Sequence, residues 1–419
     1  MKPKFYRKVL KRPHQKVQPS QNFQRKILPN GMVVLFEKRE LPIVSVVFAV
    51  RNGGMNEYES EKGISHFIEH MLYKGTPDRN SKQIATEIEK NGGELNGFTS
   101  EPITAYWCKM PSKHIDVALN VLSDMVKNPI FDEKELEKER QVIFEEIKMR
   151  RDTPRVYVSD EIQGLLYDKP LGQNLIGTYE TMNSIKREEI IKKFKEVYTP
   201  NNMILVVVGD VEFDKIVDFA EKNFGNEKGK IGLPKIKLRN EKKIEKRKGI
   251  DQASFVFAYH VPTSNNKLSY AANVLSVLMA EGMSSRLFSE IREKRNLAYA
   301  VKGESNITKE FAYNLIYVGT MKKNIEKVRK LILEEFEKVA DGLTENELNE
   351  VKEQLIGNHY ISMEDSQMQM VNLLMHESDG DVEKFYEFEK KIKEVKLGDV
   401  KKLASEVKKK YSYLALVPE

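Results

Sequence analysis

A single cysteine, Cys108, occurs in the 419 residues. One thiol closes no intramolecular disulfide, and it builds neither a four-cysteine zinc site nor a two-cysteine redox pair. Any metal must therefore be held mainly by His and carboxylates. Long hydrophobic runs are also missing. Stretches such as Met203–Val208 fall far short of the ~20 apolar residues that a membrane-spanning helix needs, so no membrane insertion is expected. Acidic residues are absent before Glu37, while nine Lys and Arg precede it. That leaves 60 Lys and Arg against 63 Asp and Glu from Glu37 onward, so the overall charge of +6 covers a slightly acidic body. A nucleic-acid partner is not expected of such a body. The N-terminal stretch lacks the apolar segment of a secretory signal, and Pro3, Pro13 and Pro19 oppose the amphipathic helix of a transit peptide. A solvated basic arm over residues 1–24 and a cytoplasmic location are the expectations.

Hydrophobic residues make up 40% and charged residues 32%, enough apolar surface to offset the ordering entropy of a folded chain. Strand patterns fall at Gly31–Phe36, Ile43–Val50 and Met203–Val208, and across Glu94–Met110 with a turn near Glu101-Pro102. Helical patterns cover Gly63–Lys74, Ser81–Asn91, His114–Lys127, Asp132–Arg151 and Arg187–Tyr198. The stretch 225–250 is rich in Lys and Glu and reads as a charged linker. The order of elements then recurs. Strands are expected at Ala253–Tyr259, Ala298–Ser305, Ala312–Gly319 and Tyr411–Val417, with helices at Ser269–Met279, Ser284–Lys294, Ile325–Ala340, Glu345–Ile361 and Asp399–Lys410. The reading is an α+β chain of two similar α/β domains, 25–224 and 251–419.

The segment Gly63–Lys74 carries His66-Phe-Ile-Glu-His70. At about 100° per residue, His70 lies about 40° from His66 and Glu69 about 60° to the other side. Ile64, Phe67, Ile68, Met71 and Leu72 fall on the opposite face. Two imidazoles one turn apart can bind one zinc ion, and the adjacent Glu is placed to hold a water. Two ordinary surface histidines are the bland alternative, but this five-residue pattern arises by chance only about 0.01 times per chain and is a zinc signature. A third ligand is needed, and a carboxylate completes the set. On the helix Asp132–Arg151, Glu139 and Glu146 flank the apolar stripe of Leu136, Ile143 and Ile147, while Glu145 points about 180° away from it. The wheel favours Glu146 or Glu139 over Glu145.

Several segments together are specific. They are Gly63-Ile-Ser-His-Phe-Ile-Glu-His70, Asn91-Gly-Gly-Glu-Leu-Asn-Gly-Phe-Thr-Ser100, Glu139-Arg-Gln-Val-Ile-Phe-Glu-Glu146, Gly282-Met-Ser-Ser-Arg-Leu-Phe288 and Ile291-Arg-Glu-Lys-Arg-Asn-Leu-Ala-Tyr299. From about residue 25 onward the chain resembles the pitrilysin-type inverzincin metallopeptidases, which include insulin-degrading enzyme and the mitochondrial processing peptidases. The resemblance implies two homologous α/β-sandwich domains of the processing-peptidase-like metallohydrolase fold, forming half of a clamshell that a homodimer completes. It implies one Zn²⁺ per chain on His66, His70 and Glu146, with Glu139 as the supporting carboxylate. Glu69 becomes the general base in peptide-bond hydrolysis, Arg292 and Tyr299 reach the substrate from the second domain, and Asn96, Gly97 and Phe98 lie on the strand that pairs with an unfolded peptide. Relatives usually read Asn-Ala where this chain has Asn96-Gly97, which predicts a looser strand. The competing expectation is a non-catalytic scaffold or partner subunit of a processing-peptidase-like complex.

Overall fold

The structure is a computed structural model that describes residues 22–233 and 236–419. Residues 1–21 of the expected basic arm lie outside the described residues. The first half contains β1 (Phe23–Ile27), β2 (Val33–Lys38), β3 (Ile43–Val50), β4 (Glu94–Thr99), β5 (Thr104–Pro111) and β6 (Met203–Gly209). They form one sheet in the order β1-β2-β6-β3-β5-β4. Its helices are α1 (Ile64–Leu72), α2 (Ser81–Glu89), α3 (Ile115–Lys127), α4 (Glu133–Asp152), α5 (Pro154–Leu166), α6 (Tyr179–Ser184), α7 (Arg187–Val197) and α8 (Phe213–Asn223).

The second half contains β7 (Lys242–Arg247), β8 (Ala253–His260), β9 (Ala298–Ile307), β10 (Ala312–Thr320) and β11 (Ser412–Pro418). Their order is β7-β11-β8-β10-β9. Its helices are α9 (Ser269–Ala280), α10 (Ile325–Gly342), α11 (Glu345–Ser362), α12 (Ser366–Ser378), α13 (Glu383–Glu394) and α14 (Leu397–Val407). Strand for strand, β2-β6-β3-β5-β4 and β7-β11-β8-β10-β9 are the same arrangement. In each, the second strand runs parallel to the first and antiparallel to the third.

This equivalence changes the reading of the Lys- and Glu-rich stretch before residue 250. Its last part is β7, the counterpart of β2, paired with β11 from Lys242↔Tyr413 to Arg247↔Pro418. Charge along an edge strand conceals the two-residue period, because one side faces water and Lys protects an open edge. The expected helix Ser284–Lys294 is also different: Phe288–Glu293 is a π-helical turn. Five helices beyond the expected set appear in the first and second halves as α5, α6, α8, α12 and α13.

Both sheets are covered on both faces, which is why β6 and β10 are buried along their whole lengths. One face of the first sheet packs Val34, Phe36, Val46, Phe48 and Val207 against α1 and α3. Its other face buries Val33, Leu35, Val47 and Val206 against Met370, Leu373 and Leu374 of α12. The reverse exchange covers the second sheet, where Val158, Ile162 and Leu166 of α5 meet Val256, Ala258 and Leu414. Each half thus lends one helix to the other's sheet. Fully burying each such Val or Leu stabilises the fold by roughly 1.5–3 kcal/mol.

Candidate active site

Helix α1 begins at Gly63, whose φ of 96° is left-handed backbone that a side chain would strain. The buried Glu57 carboxylate accepts from Gly63 N–H at 2.8 Å and from Ser65 N–H at 2.7 Å. A carboxylate at a helix N-terminus satisfies free N–H groups and complements the dipole. Burial pushes Glu57 upward in pKa, and the Lys62 ammonium opposes it. Lys62 is itself fully buried, with Nζ 2.9 Å from Gly54 O and 3.3 Å from Glu101 Oε2. Glu57, Lys62 and Glu101 therefore anchor the start of the helix, and none of them stood out in the sequence. Their spacing follows no motif because their neighbours come from loops.

The apolar face of α1, with Ile64, Phe67, Ile68, Met71 and Leu72, is buried as its periodicity demands. The opposite face meets α4 and β4 rather than solvent, so His66 is only 8% exposed. His66 Nε2 lies 3.0 Å and His70 Nε2 3.7 Å from Glu146 Oε2. Ligand atoms of His66, His70 and Glu146 all lie within 4.8 Å of one another. Glu139 Oε2 is 3.0 Å from His70 Nδ1, and its other oxygen takes Lys74 Nζ at 2.6 Å. Glu145 is exposed on the far side of α4.

Two imidazoles and one carboxylate converging from two rigid helices suit a borderline-soft dication that prefers nitrogen and oxygen donors at a tetrahedral centre. Glu139, by accepting from His70 Nδ1–H, holds the tautomer that leaves Nε2 free to ligate. Burial lowers the His66 pKa, but hydrogen bonds to Glu146 and Glu69 outweigh it and raise it to about 9. The same bond to His66 holds Glu146 below the usual carboxylate range. Burial raises Glu139, and His70 and Lys74 together bring it below its ordinary value.

Glu69 stands beside this cluster, 3.6 Å from His66 Nδ1. Thr99 Oγ1, at the end of β4, donates to Glu69 Oε2 at 2.6 Å. Strand β4 is one of the two edge strands of the first sheet. Contrary to the looser strand that Gly97 predicts, β4 pairs regularly with β5 from Glu94↔Lys109 to Thr99↔Thr104. Asn96 Oδ1 accepts from Gly97 N–H at 2.8 Å. Phe98 packs against the core beneath α12. A cavity of about 740 Å³ opens between the halves, lined by Thr99, Arg150, Arg155 and Asp160 on one side and Glu304 and Tyr313 on the other.

Arg292 and Tyr299 are not brought to this cluster within the chain. Arg292 sits in the π-helical turn with its guanidinium 4.8 Å from the Phe288 ring centroid. Tyr299, on β9, is 52% exposed, and its hydroxyl is 3.3 Å from that of Tyr317. Burial, followed by that hydroxyl, pushes the Tyr299 phenol up to about 12. The two residues share a separate cavity of about 500 Å³ with Phe288 and Met283, and none of the His66 group lines it.

Residues 32–179 match the family described as Insulinase (Peptidase family M16), and residues 184–355 match the Peptidase M16 inactive domain. A Rickettsia felis protein named "Uncharacterized zinc protease" is 34% identical over 351 residues, covering 82% of this chain and 84% of its own. The chain belongs to peptidase family M16. The Bacillus subtilis "Uncharacterized zinc protease YmxG" is 33% identical over 81% of this chain and 84% of its own. Among solved structures, a protease from Helicobacter pylori superposes with a TM-score of 0.88 at 24% identity, over 94% of this chain and 99% of that one. A chain of complex III2 from Candida albicans gives 0.84 at 16% identity, over 94% and 95%. The fold is thus that of the two-domain M16 proteins, and the half matching the inactive domain is the one without the His66, His70 and Glu146 group.

Proposed function

We propose that this M16 chain is a zinc-dependent endopeptidase that cuts unfolded peptides. The observation that carries the reading is the convergence of His66, His70 and Glu146 within 4.8 Å, with Glu69 beside them and its carboxylate held by Thr99. His66, His70 and Glu146 would hold the ion; zinc, when bound, polarises the scissile carbonyl and activates the attacking water. Glu69 takes a proton from that water and passes it to the leaving amine. Thr99 fixes Glu69 Oε2 at the edge strand β4. An extended peptide adds to that edge through backbone hydrogen bonds, which favour unstructured segments over folded domains and carry little sequence information.

Tyr299 donates to the developing oxyanion, and Arg292 binds the substrate beside it. Because both lie apart from the His66 cluster in one chain, a second copy supplies them in a homodimer. The buried, unpaired Cys108 suits a reducing compartment, and the cytoplasm is the proposed one. A scaffold role, suggested by the shared fold of a complex III2 chain, would not require the complete donor set. Zinc content measured together with cleavage of a quenched peptide separates the two. Glu69→Gln is expected to keep zinc and lose most turnover; a metal-replete variant with near wild-type rate would refute the assignment.

A further inference from the structure

Tyr73 follows α1 by one residue and continues its last turn, with N–H 3.4 Å from His70 O. Its ring lies 6.0 Å from that of Tyr106. Its hydroxyl is buried and has no hydrogen-bond partner among the described residues. An unpartnered buried hydroxyl costs about 1–3 kcal/mol, and a Phe at this position would avoid that cost. Stability alone therefore gives no reason for the oxygen.

Its surroundings supply one. A Cβ added to Gly97 would lie 2.5 Å from the Tyr73 hydroxyl, 2.8 Å from Ala105 O and 3.3 Å from Glu69 Oε1. The hydroxyl occupies the space that any other residue at 97 would fill, and Glu69 Oε1 borders the same space without a hydrogen bond to it. Glu69 Oε2 already accepts from Thr99. We propose that Tyr73 is a positioning residue for Glu69. Its hydroxyl donates to Oε1 in the working site, so that Thr99 and Tyr73 hold the carboxylate by both oxygens, and Gly97 is the matched residue that leaves room for the hydroxyl. The departure from Asn-Ala at residues 96–97 is then a consequence of Tyr73 rather than a loosening of the strand.

The inference rests on the reading of Glu69 as base, and its test separates the two. Tyr73→Phe is expected to lower kcat about tenfold, the effect of losing one hydrogen bond to a charged group. KM is expected within twofold of wild type, with zinc content unchanged and Tm not lowered. The same substitution in a Glu69→Gln background is expected to leave the residual rate unchanged. Gly97→Ala is expected to lower Tm, and to lower it less in Tyr73→Phe than in wild type, because the clash with the hydroxyl is then gone and only the contacts with Ala105 O and Glu69 Oε1 remain. This melting comparison needs no activity. A kcat within twofold of wild type in Tyr73→Phe, while Glu69→Gln is inactive, overturns the Tyr73 role and leaves the base reading standing. Equal Tm losses from Gly97→Ala in both backgrounds overturn the pairing of 73 with 97. An active, zinc-loaded Glu69→Gln overturns the base reading instead.

Discussion

His66 is the residue on which the electrostatics of the cluster turn. Burial disfavours its charged form, yet Glu146 and Glu69 raise it to about 9, above the ordinary 6.5. In the metal-free protein the bound proton stabilises the fold fully below about pH 6.5, and that contribution is lost as the pH rises through about 9. Zinc requires the neutral imidazole and so competes with the proton. Zinc affinity, measured by chelator competition, should rise steeply between pH 6.5 and 9 and then level off, while the Tm of the metal-free protein declines over the same window. A flat affinity across that window would contradict the coupling. Glu146→Gln removes one of the groups that raise His66 and a donor atom from the cluster, so it should depress zinc occupancy strongly. Glu145→Gln, on the exposed side of α4, should leave occupancy intact; equal losses would mean that the wrong carboxylate faces the imidazoles.

At the scale of elements, the lent helix α12 is held by charge as well as by its apolar face. Glu377 accepts from Arg25 Nε and Nη2 and from Arg51 Nη2, all at 2.9 Å, with its side chain only 3% exposed. Removing that carboxylate strips the half-buried Arg51 of its counter-charge and leaves it only the Glu377 and Ser378 backbone carbonyls, which is far costlier than losing an exposed pair. Glu377→Ala should destabilise the protein by about 3 kcal/mol in urea unfolding. Glu221→Ala breaks the Lys26–Glu221 pair, whose side chains are 43% and 41% exposed, and should cost less than about 1 kcal/mol. Comparable losses in the two variants would show that Glu377 does not secure α12.

Across the whole molecule, the Arg292–Tyr299 pair lines a cavity that none of His66, Glu69, His70 and Glu146 lines. If a second copy supplies the missing pair, two inactive variants should complement each other. Mixing and reannealing Glu69→Gln with Tyr299→Phe produces mixed dimers in which one site is whole: Glu69 from one chain and Tyr299 from the other. Half the dimers are then mixed and half their sites intact, so peptidase activity should recover to about a quarter of the wild-type rate, given that loss of Glu69 or of an oxyanion donor each costs on the order of a hundredfold. No recovery in a mixture shown to exchange subunits would place both groups in the same chain's site.

Much of this was written locally. The helical period placed Ile64, Phe67, Ile68, Met71 and Leu72 on one face and His66, Glu69 and His70 on the other, because 3.6 residues per turn is a property of the backbone alone. The apolar stripe of α4 likewise set Glu139 and Glu146 apart from Glu145. Other features depended on contacts between segments far apart in the chain. β7 became a strand because β11 offered it an edge, although its own residues are charged. α5 and α12 exchanged sheets because each sheet had a second apolar face to cover. Glu57 and Lys62 gained their roles at the start of α1 only when loops brought them there. The pairing of Tyr73 with Gly97, 24 residues apart, exists only where α1 crosses β4. Periodicity determines which side of an element is apolar; which partner covers that side, and which buried polar atoms meet, is decided by packing in three dimensions.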